Sequence, residues 1–422
     1  MGELTLENLD IISNETYEEN GYPHAEWEFL RREDPLHWNT NHVVNPFWAV
    51  TKHEDLIWIS KQPERFLNRP RLGVFPQFAG EGPDGSKSAS EEDDDPFLRH
   101  LLSMDPPEHA QYRKLASHRF TPNGLSRMTH DIEGITAELL DAMGEEGEGD
   151  FVQMLSAPLP LNVLAQLLGV PRDMWRTMFR WTNQVAGSAD PEYQVEGEEP
   201  GDTVERARNE LFGYFARMTS ERRTEPTDDI TSVLANATLD GAPVPDLELL
   251  SYYFVLVVAG NETTRNAMTG GLLALMQNPG EWEKLRRDPS LVDSAAEEIV
   301  RWTSPVIQFC RTAVEDVEIR GKQIRAGQSL CLFYPSANRD EDVFEAPNEF
   351  RVDRAPNRHV GFGIGEHFCL GANLARLELR VLLRHLVDRL EHVELAGEPV
   401  RLRSSFLGGI KRMPIRYKLR PR

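Results

Sequence analysis

The chain has 422 residues, 40% hydrophobic and 27% charged, a balance that fits a globular protein and excludes the disordered, collagenous and membrane-spanning classes. A formal net charge of −22 excludes a general nucleic-acid binder, because a polyanion would be repelled everywhere except at a local basic patch. Three cysteines, Cys310, Cys331 and Cys369, are too few and too scattered for a disulfide scaffold or a cysteine-rich zinc site, and they fit a reducing, cytoplasmic setting.

The opening MGELTLENLDIISN has no basic segment followed by an apolar one, and Leu6 stands where a myristoylation signal wants Ser or Thr. AEWEFLRRE (25–33) predicts a helix, and HVVNPFWAVTKH (42–53), rich in β-branched and aromatic residues, a strand pair. EGPDGSKSASEEDDDP (81–96) has almost no apolar residue and predicts an exposed, mobile loop. Helical spacing then dominates to about residue 303, in PPEHAQYRKLASHRF, TAELLDAM, LNVLAQLLGV, DMWRTMFRWTNQV and TVERARNELFGYFARMTSERR, with a second acidic loop at 188–202.

LELLSYYFVLVVAGNETTRNAMTGGLLALMQNP (247–279) is apolar nearly all round, as expected of a helix that runs through a core. Its longest apolar run, YYFVLVVAG, falls far short of the roughly 20 residues a membrane helix needs. No membrane anchor is visible. After Pro305 short strands are expected in RTAVEDVEIRG and QIRAGQSLCLFYP. A helix then covers 369–391, and SFLGGIKRMPIRYKL reads as a hairpin turning at Gly408-Gly409. There is no internal repeat, and the reading is a single domain over 1–422, mostly α with a minor β region.

GFGIGEHFCLG (361–371) raises a choice for Cys369 between a buried apolar filler and a metal ligand. The glycines let backbone pass close to a flat ligand. The position of Cys369 at the head of an amphipathic helix offers N–H groups and the positive dipole end to its sulfur, an environment that favours a thiolate.

Phe362-Gly363-x-Gly365-x-His367-x-Cys369-x-Gly371 resembles in full the haem-binding signature of cytochromes P-450, the haem-thiolate monooxygenases. The resemblance implies a mainly α cytochrome P-450 fold, a helix-rich region with a smaller β-rich region around one buried haem b (iron protoporphyrin IX). It makes Cys369 the axial thiolate, which favours O–O cleavage at iron. Phe362 would shield the sulfur side, Gly363 and Gly371 would let the haem approach, and His367 would reach a haem propionate.

Ala259-Gly260-Asn261-Glu262-Thr263-Thr264, inside the long apolar helix, resembles the family's oxygen-activation motif. Thr263 can instead bond back to the carbonyl of Ala259, and Glu262 can satisfy a polar neighbour. A carboxylate mid-length in an apolar helix is desolvated, however, which points to function. The resemblance implies an O2 groove beside Ala259 and Gly260, with Glu262 and Thr263 relaying protons and Thr264 the less suited hydroxyl. Glu298-x-x-Arg301 by itself is an ordinary i, i+3 pair. Followed by Asn348-Glu349-Phe350-Arg351-Val352-Asp353-Arg354, it resembles the family's structural cluster, with Arg354 as third member. His109-x-x-x-Arg113 and Arg311 resemble the cations that hold the propionates, suited to carboxylates by arginine's planar fork. The resemblance runs from Tyr17-x-x-x-Gly21-x-Pro23-His24 to the last hairpin and departs at Cys310, where many relatives carry a polar residue.

For the substrate pocket the resemblance points to Leu72, Val74, Phe75, Phe254, Val258, Val306, Ile307, Phe309, Phe406 and Leu407, each equally suited to core. The implied reaction is hydroxylation of a hydrophobic small molecule of the steroid, terpenoid or branched-fatty-chain class with O2. Its electrons would come from a ferredoxin and ferredoxin reductase, drawn to a basic patch of Arg113, Lys114, Arg358, Arg376 and Arg380. Two rivals stay open, a peroxide-dependent haem-thiolate peroxygenase and a haem-binding sensor without turnover. The acid–alcohol pair speaks against both.

Overall fold

The computed structural model describes residues 4–40, 44–74 and 99–421. The acidic segment 81–96 and Phe75 lie outside the described residues, as do the first two residues of the expected strand pair at 42–53. Among the described residues no helix is long and apolar enough to cross a membrane.

The helix Asp246–Gln277 runs 32 residues through the middle of the molecule, a length of about 48 Å at 1.5 Å per residue. Pro245 precedes it, and Asp246 and Glu248 in its first turn complement the helix dipole. Its apolar circumference is covered by the helices Pro158–Leu168, Trp175–Ala186, Pro200–Thr224 and Val292–Thr303. Together they form the largest of three apolar cores. Two smaller cores sit on the strand side, one around Leu36, Val50 and Leu332 and one around Tyr17, Trp27 and Phe333.

A five-stranded sheet carries the second region, in the order Leu36–Asn39, Phe47–Val50, Ser329–Phe333, Gln308–Ala313, Phe66–Leu67. Only Phe47–Val50 and Ser329–Phe333 run parallel; the other pairs are antiparallel. A separate three-stranded antiparallel sheet joins Leu390–Leu395, Pro414–Leu419 and Glu146–Asp150. The helix-dominated architecture with a minor β region matches the expectation.

Three details differ. The strand pair expected within 42–53 is one strand, Phe47–Val50, whose partner Leu36–Asn39 precedes it; residues from His53 onward already form the helix His53–Ser60. The helix after Cys369 begins at Ala372 with Gly371 as its cap, so the cysteine lies ahead of the helix rather than in its first turn. The closing hairpin does not turn at Gly408-Gly409. Ile410–Arg412 pairs back with Val400–Arg401, and Pro414–Leu419 joins the other sheet. Those glycines answer close approach instead. A Cβ on Gly408 would lie 2.0 Å from Tyr22 Oη, and one on Gly409 2.1 Å from Asn266 Oδ1.

Candidate functional site

The cysteine loop is shaped by its backbone. Gly363 and Gly365 take φ of 69° and 78°, the left-handed region that favours glycine. Hydrogen bonds from Gly363 N to Val360 O (2.8 Å), Phe368 N to Gly365 O (3.1 Å) and Cys369 N to Phe362 O (2.9 Å) fold the loop back on itself. Cys369 is half-buried. Burial raises its thiol above the ordinary value, against the Gly371 N–H and the guanidiniums of Arg113 and Arg376. The helix terminus expected to favour a thiolate is thus outweighed by desolvation, because the helix starts three residues later. A metal cation supplies the missing charge, since coordination deprotonates a thiol outright.

Sequence reading missed what braces this loop. Glu297 accepts from Arg376 at Oε1 (2.7 Å) and Oε2 (2.9 Å) and lies 3.0 Å from His359 Nε2. Burial opposes ionisation of Glu297, but His359 and Arg376 hold its carboxyl at about 2. The Arg376 guanidinium in turn sits 4.5 Å from the Phe362 ring centroid. Arg376, expected in a docking patch, is therefore an internal brace. Arg380 pairs with Asp293 at 3.0 Å, and of the expected patch Lys114 and Arg358 remain exposed.

A cation-rich cluster stands beside the loop. His109 and His367 stack with ring centroids 4.1 Å apart, and His109 Nδ1 lies 2.8 Å from Glu366 Oε1. Burial, then Arg311, His109 and Arg113, push His367 down to about 2, so its imidazole is neutral. Its Nε2 is buried with no hydrogen-bond partner among the described residues. Arg311 is buried and donates from Nη1 to Cys310 O at 2.7 Å. Among the described residues neither Arg113 nor Arg311 forms an ion pair. Two unpaired arginines converging on an unpartnered imidazole fit the carboxylates of a haem. The donor set passes the test that a haem poses.

On the core helix, Ala259 is exposed although the residues around it, Val255, Leu256, Val257, Asn261 and Glu262, are buried. Phe254, Val258, Gly260 and Thr263 are half-buried. An accessible space therefore reaches the helix at the turn where small residues replace Leu and Val. Thr263 Oγ1 donates back to Ala259 O at 2.9 Å. Glu262 is buried and ion-paired with Arg265 three residues on. Its Oε1 also accepts from Asn261 Nδ2 (3.2 Å) and Thr182 Oγ1 (3.5 Å), while Arg265 Nη1 donates to Asn183 Oδ1 at 2.9 Å. Burial raises Glu262 above the usual carboxylate range, against Arg265 and Thr182. Glu262 and Thr263, adjacent in sequence, thus face different partners. Thr264 is buried.

Glu298, Arg301 and Arg354 meet as expected. Arg301 Nε and Nη2 each donate to a Glu298 oxygen at 2.8 Å, and Arg354 Nε reaches Oε2 at 3.0 Å. Arg301 Nη1 also donates to Asn338 O at 2.9 Å, and Asn338 Oδ1 accepts the Val360 N–H at 2.7 Å, which ties the cluster to the cysteine loop.

Of the expected pocket walls, Leu72, Phe254, Val258, Val306, Phe309 and Phe406 keep accessible surface. Phe309 and Phe406 meet edge-on at 5.5 Å. Val74, Ile307 and Leu407 are enclosed by protein. Ile307 and Val74 belong to the core around Trp27, and Leu407 bridges to Val306.

A family model described as "Cytochrome P450" matches residues 84–420. The steroid C26-monooxygenase of Mycolicibacterium smegmatis is 38% identical, covering 94% of this chain and 90% of its own. The linalool 8-monooxygenase of Pseudomonas putida is 37% identical over 97% of this chain and 99% of its own. Among solved structures, the Mycobacterium marinum cytochrome P450 CYP268A2 in complex with pseudoionone superposes with a TM-score of 0.88 at 32% identity, covering 98% of this chain and 100% of that one.

Proposed function

We propose that this chain, which belongs to the cytochrome P450 family and is a haem-thiolate monooxygenase of hydrophobic substrates, hydroxylates the terminal methyl of a branched, isoprenoid-like chain. The observation that carries the site assignment is the convergence of Arg113, Arg311 and His109 on the unpartnered Nε2 of His367, beside the Cys369 loop. In this reading Cys369 Sγ would bind the haem iron. Arg113, Arg311, His109 and the neutral His367 imidazole hold the propionates, and Phe362, clamped by Arg376, keeps water from the sulfur. When bound, the haem supplies O2 activation and the transfer of one oxygen atom to carbon.

The residues opposite handle protons. Thr263 Oγ1–H, donated at rest to Ala259 O, turns toward the accessible space and passes a proton there. Glu262, raised by burial and bonded to Thr182 and Asn261 on its own side of the helix, is the acid that resupplies protons to this region. Ala259 and Gly260 leave room for a small gas, and Phe254, Val258, Phe309 and Phe406 exclude water from the substrate.

The substrate class is supported by the relatives, whose named positions, C26 of a steroid and C8 of linalool, are both chain-terminal methyl carbons. Partly open walls of Phe and Val suit such a chain. Exposed Lys114 and Arg358 support docking of an acidic ferredoxin as electron donor. The test is a spectral binding titration with linalool, a sterol with an intact side chain and a linear fatty acid, followed by product analysis. Terminal-methyl alcohols from the branched probes are expected. Preference for the linear acid, or oxidation away from the branched terminus, would overturn the reading.

A further inference from the structure

We propose that Cys310 and Cys331 form a redox-modification site, a cross-strand dithiol that a small hydroperoxide converts to an intramolecular disulfide. The two residues are direct partners in the antiparallel ladder between Gln308–Ala313 and Ser329–Phe333. Cys310 turns its N–H away from that ladder to Leu72 O at 2.7 Å, whereas Ala313 N–H donates to Gln328 O at 3.0 Å across it. Alternation along the strand then makes 310 and 331 a non-hydrogen-bonded pair, the closer kind, with Cα atoms about 4.5 Å apart. That separation falls within the roughly 4.4–6.8 Å that a disulfide spans.

As direct partners in the ladder, both side chains leave the same face of the sheet, side by side. Burial works against ionisation of both. The neighbouring Cys331 thiol, with Arg71 and Arg311, nevertheless brings Cys310 below its ordinary value, while Cys331 is pushed well above. The pair is thus divided into a nucleophile and a proton holder. Cys331 Sγ also lies 3.4 Å from Gln308 Oε1, an acceptor for its hydrogen.

The step balances with one peroxide. Cys310 thiolate attacks a peroxide oxygen, breaking the O–O bond and releasing water (or an alcohol from an alkyl hydroperoxide) to leave a sulfenic acid. Cys331 sulfur then displaces the sulfenic hydroxyl as a second water, giving the S–S bond. The two thiols lose two electrons, and the peroxide gains them. Both side chains are 0% exposed, so a peroxide reaches them only when the sheet opens locally, and hydrogen peroxide needs a smaller opening than a bulky disulfide such as glutathione's. Gln308 holds Val74 N–H at 3.1 Å and Val74 O at 3.0 Å, so oxidation takes the S–H from the side chain that clasps the end of this segment.

The test uses the haem-loaded protein exposed to hydrogen peroxide, quenched in acid, alkylated, reduced and alkylated again with an isotopic reagent, with peptides read by mass spectrometry. Expected is loss of the first label at Cys310 and Cys331 together, in a one-to-one ratio, as a cross-linked species lighter by two hydrogen atoms and reversed by dithiothreitol. Cys310→Ser should leave Cys331 fully reactive with the first reagent. Cys331→Val, which keeps the site apolar, should give Cys310 oxidised without a cross-link. The proposal is overturned if both thiols keep the first label while Cys369 or methionines oxidise, or if Cys331 still loses the first label in Cys310→Ser.

Discussion

Two buried glutamates, Glu298 and Glu262, are each ion-paired to an arginine three residues further along a helix. The first is held on every side: its oxygens take Arg301, Arg354, the Arg351 N–H and Asn357 Nδ2, and Arg301 fills its remaining hydrogens with backbone carbonyls. The second is held loosely, by Arg265, Asn261 and Thr182 alone, and Arg265 Nε and Asn261 Oδ1 are buried without partners among the described residues. One sequence pattern thus makes a fully satisfied lock in one place and a partly satisfied pair in the other, the one proposed above to handle protons. Completeness of hydrogen bonding, rather than the ion pair, separates them.

The largest break lies where the lock points. Cys369→Ala should abolish the red-shifted ferrous–CO band that reports thiolate ligation; a band that survives would remove Cys369 as ligand. Glu298→Ala should cost about 3–5 kcal/mol, because it strands two buried guanidiniums, read as a lowered urea midpoint with m unchanged. A cost below about 1 kcal/mol would mean that the cluster is no lock.

Glu378 sharpens the comparison on the helix after the cysteine loop. It is buried, its Oε2 has no partner among the described residues, and burial pushes it up to about 8. Between the unfolded value near 4.5 and about 8 the folded state holds the extra proton, so this residue's contribution to stability falls as pH rises through that window. The slope is at most about 1.4 kcal/mol per pH unit. Glu378→Gln should flatten the profile and raise stability at pH 8 relative to wild type, checked by denaturation at pH 5 and 8. Last, Thr263→Ala should change stability by less than about 1 kcal/mol. Coupling of reductant to product should nonetheless fall about tenfold or more, with peroxide released instead. Unchanged coupling would return Thr263 to a helix-backbone role.

Sequence legibility follows the distance between partners. The cysteine loop and Glu298-x-x-Arg301 are read within a few residues and the geometry brings each together as expected, whereas Glu262 and Thr263, equally legible, face different partners. The brace of Glu297 with His359 and Arg376 spans separations of 62 and 79 residues, so no local pattern announces it and Arg376 reads as a surface charge. Gly408-Gly409 misleads in the opposite way. Its dipeptide spells a turn, but what demands glycine is Tyr22 and Asn266, brought up by folding. Val74 and Ile307 are buried in the core around Trp27, a placement the sequence does not announce, since an apolar side chain looks the same in a core as in a pocket.

The unpaired arginines beside His367 also bear on biosynthesis. Among the described residues neither Arg113 nor Arg311 has a carboxylate partner of its own. A dianionic haem then serves as their counter-ion, and its binding free energy becomes folding free energy. Maturation of this chain is accordingly linked to haem supply.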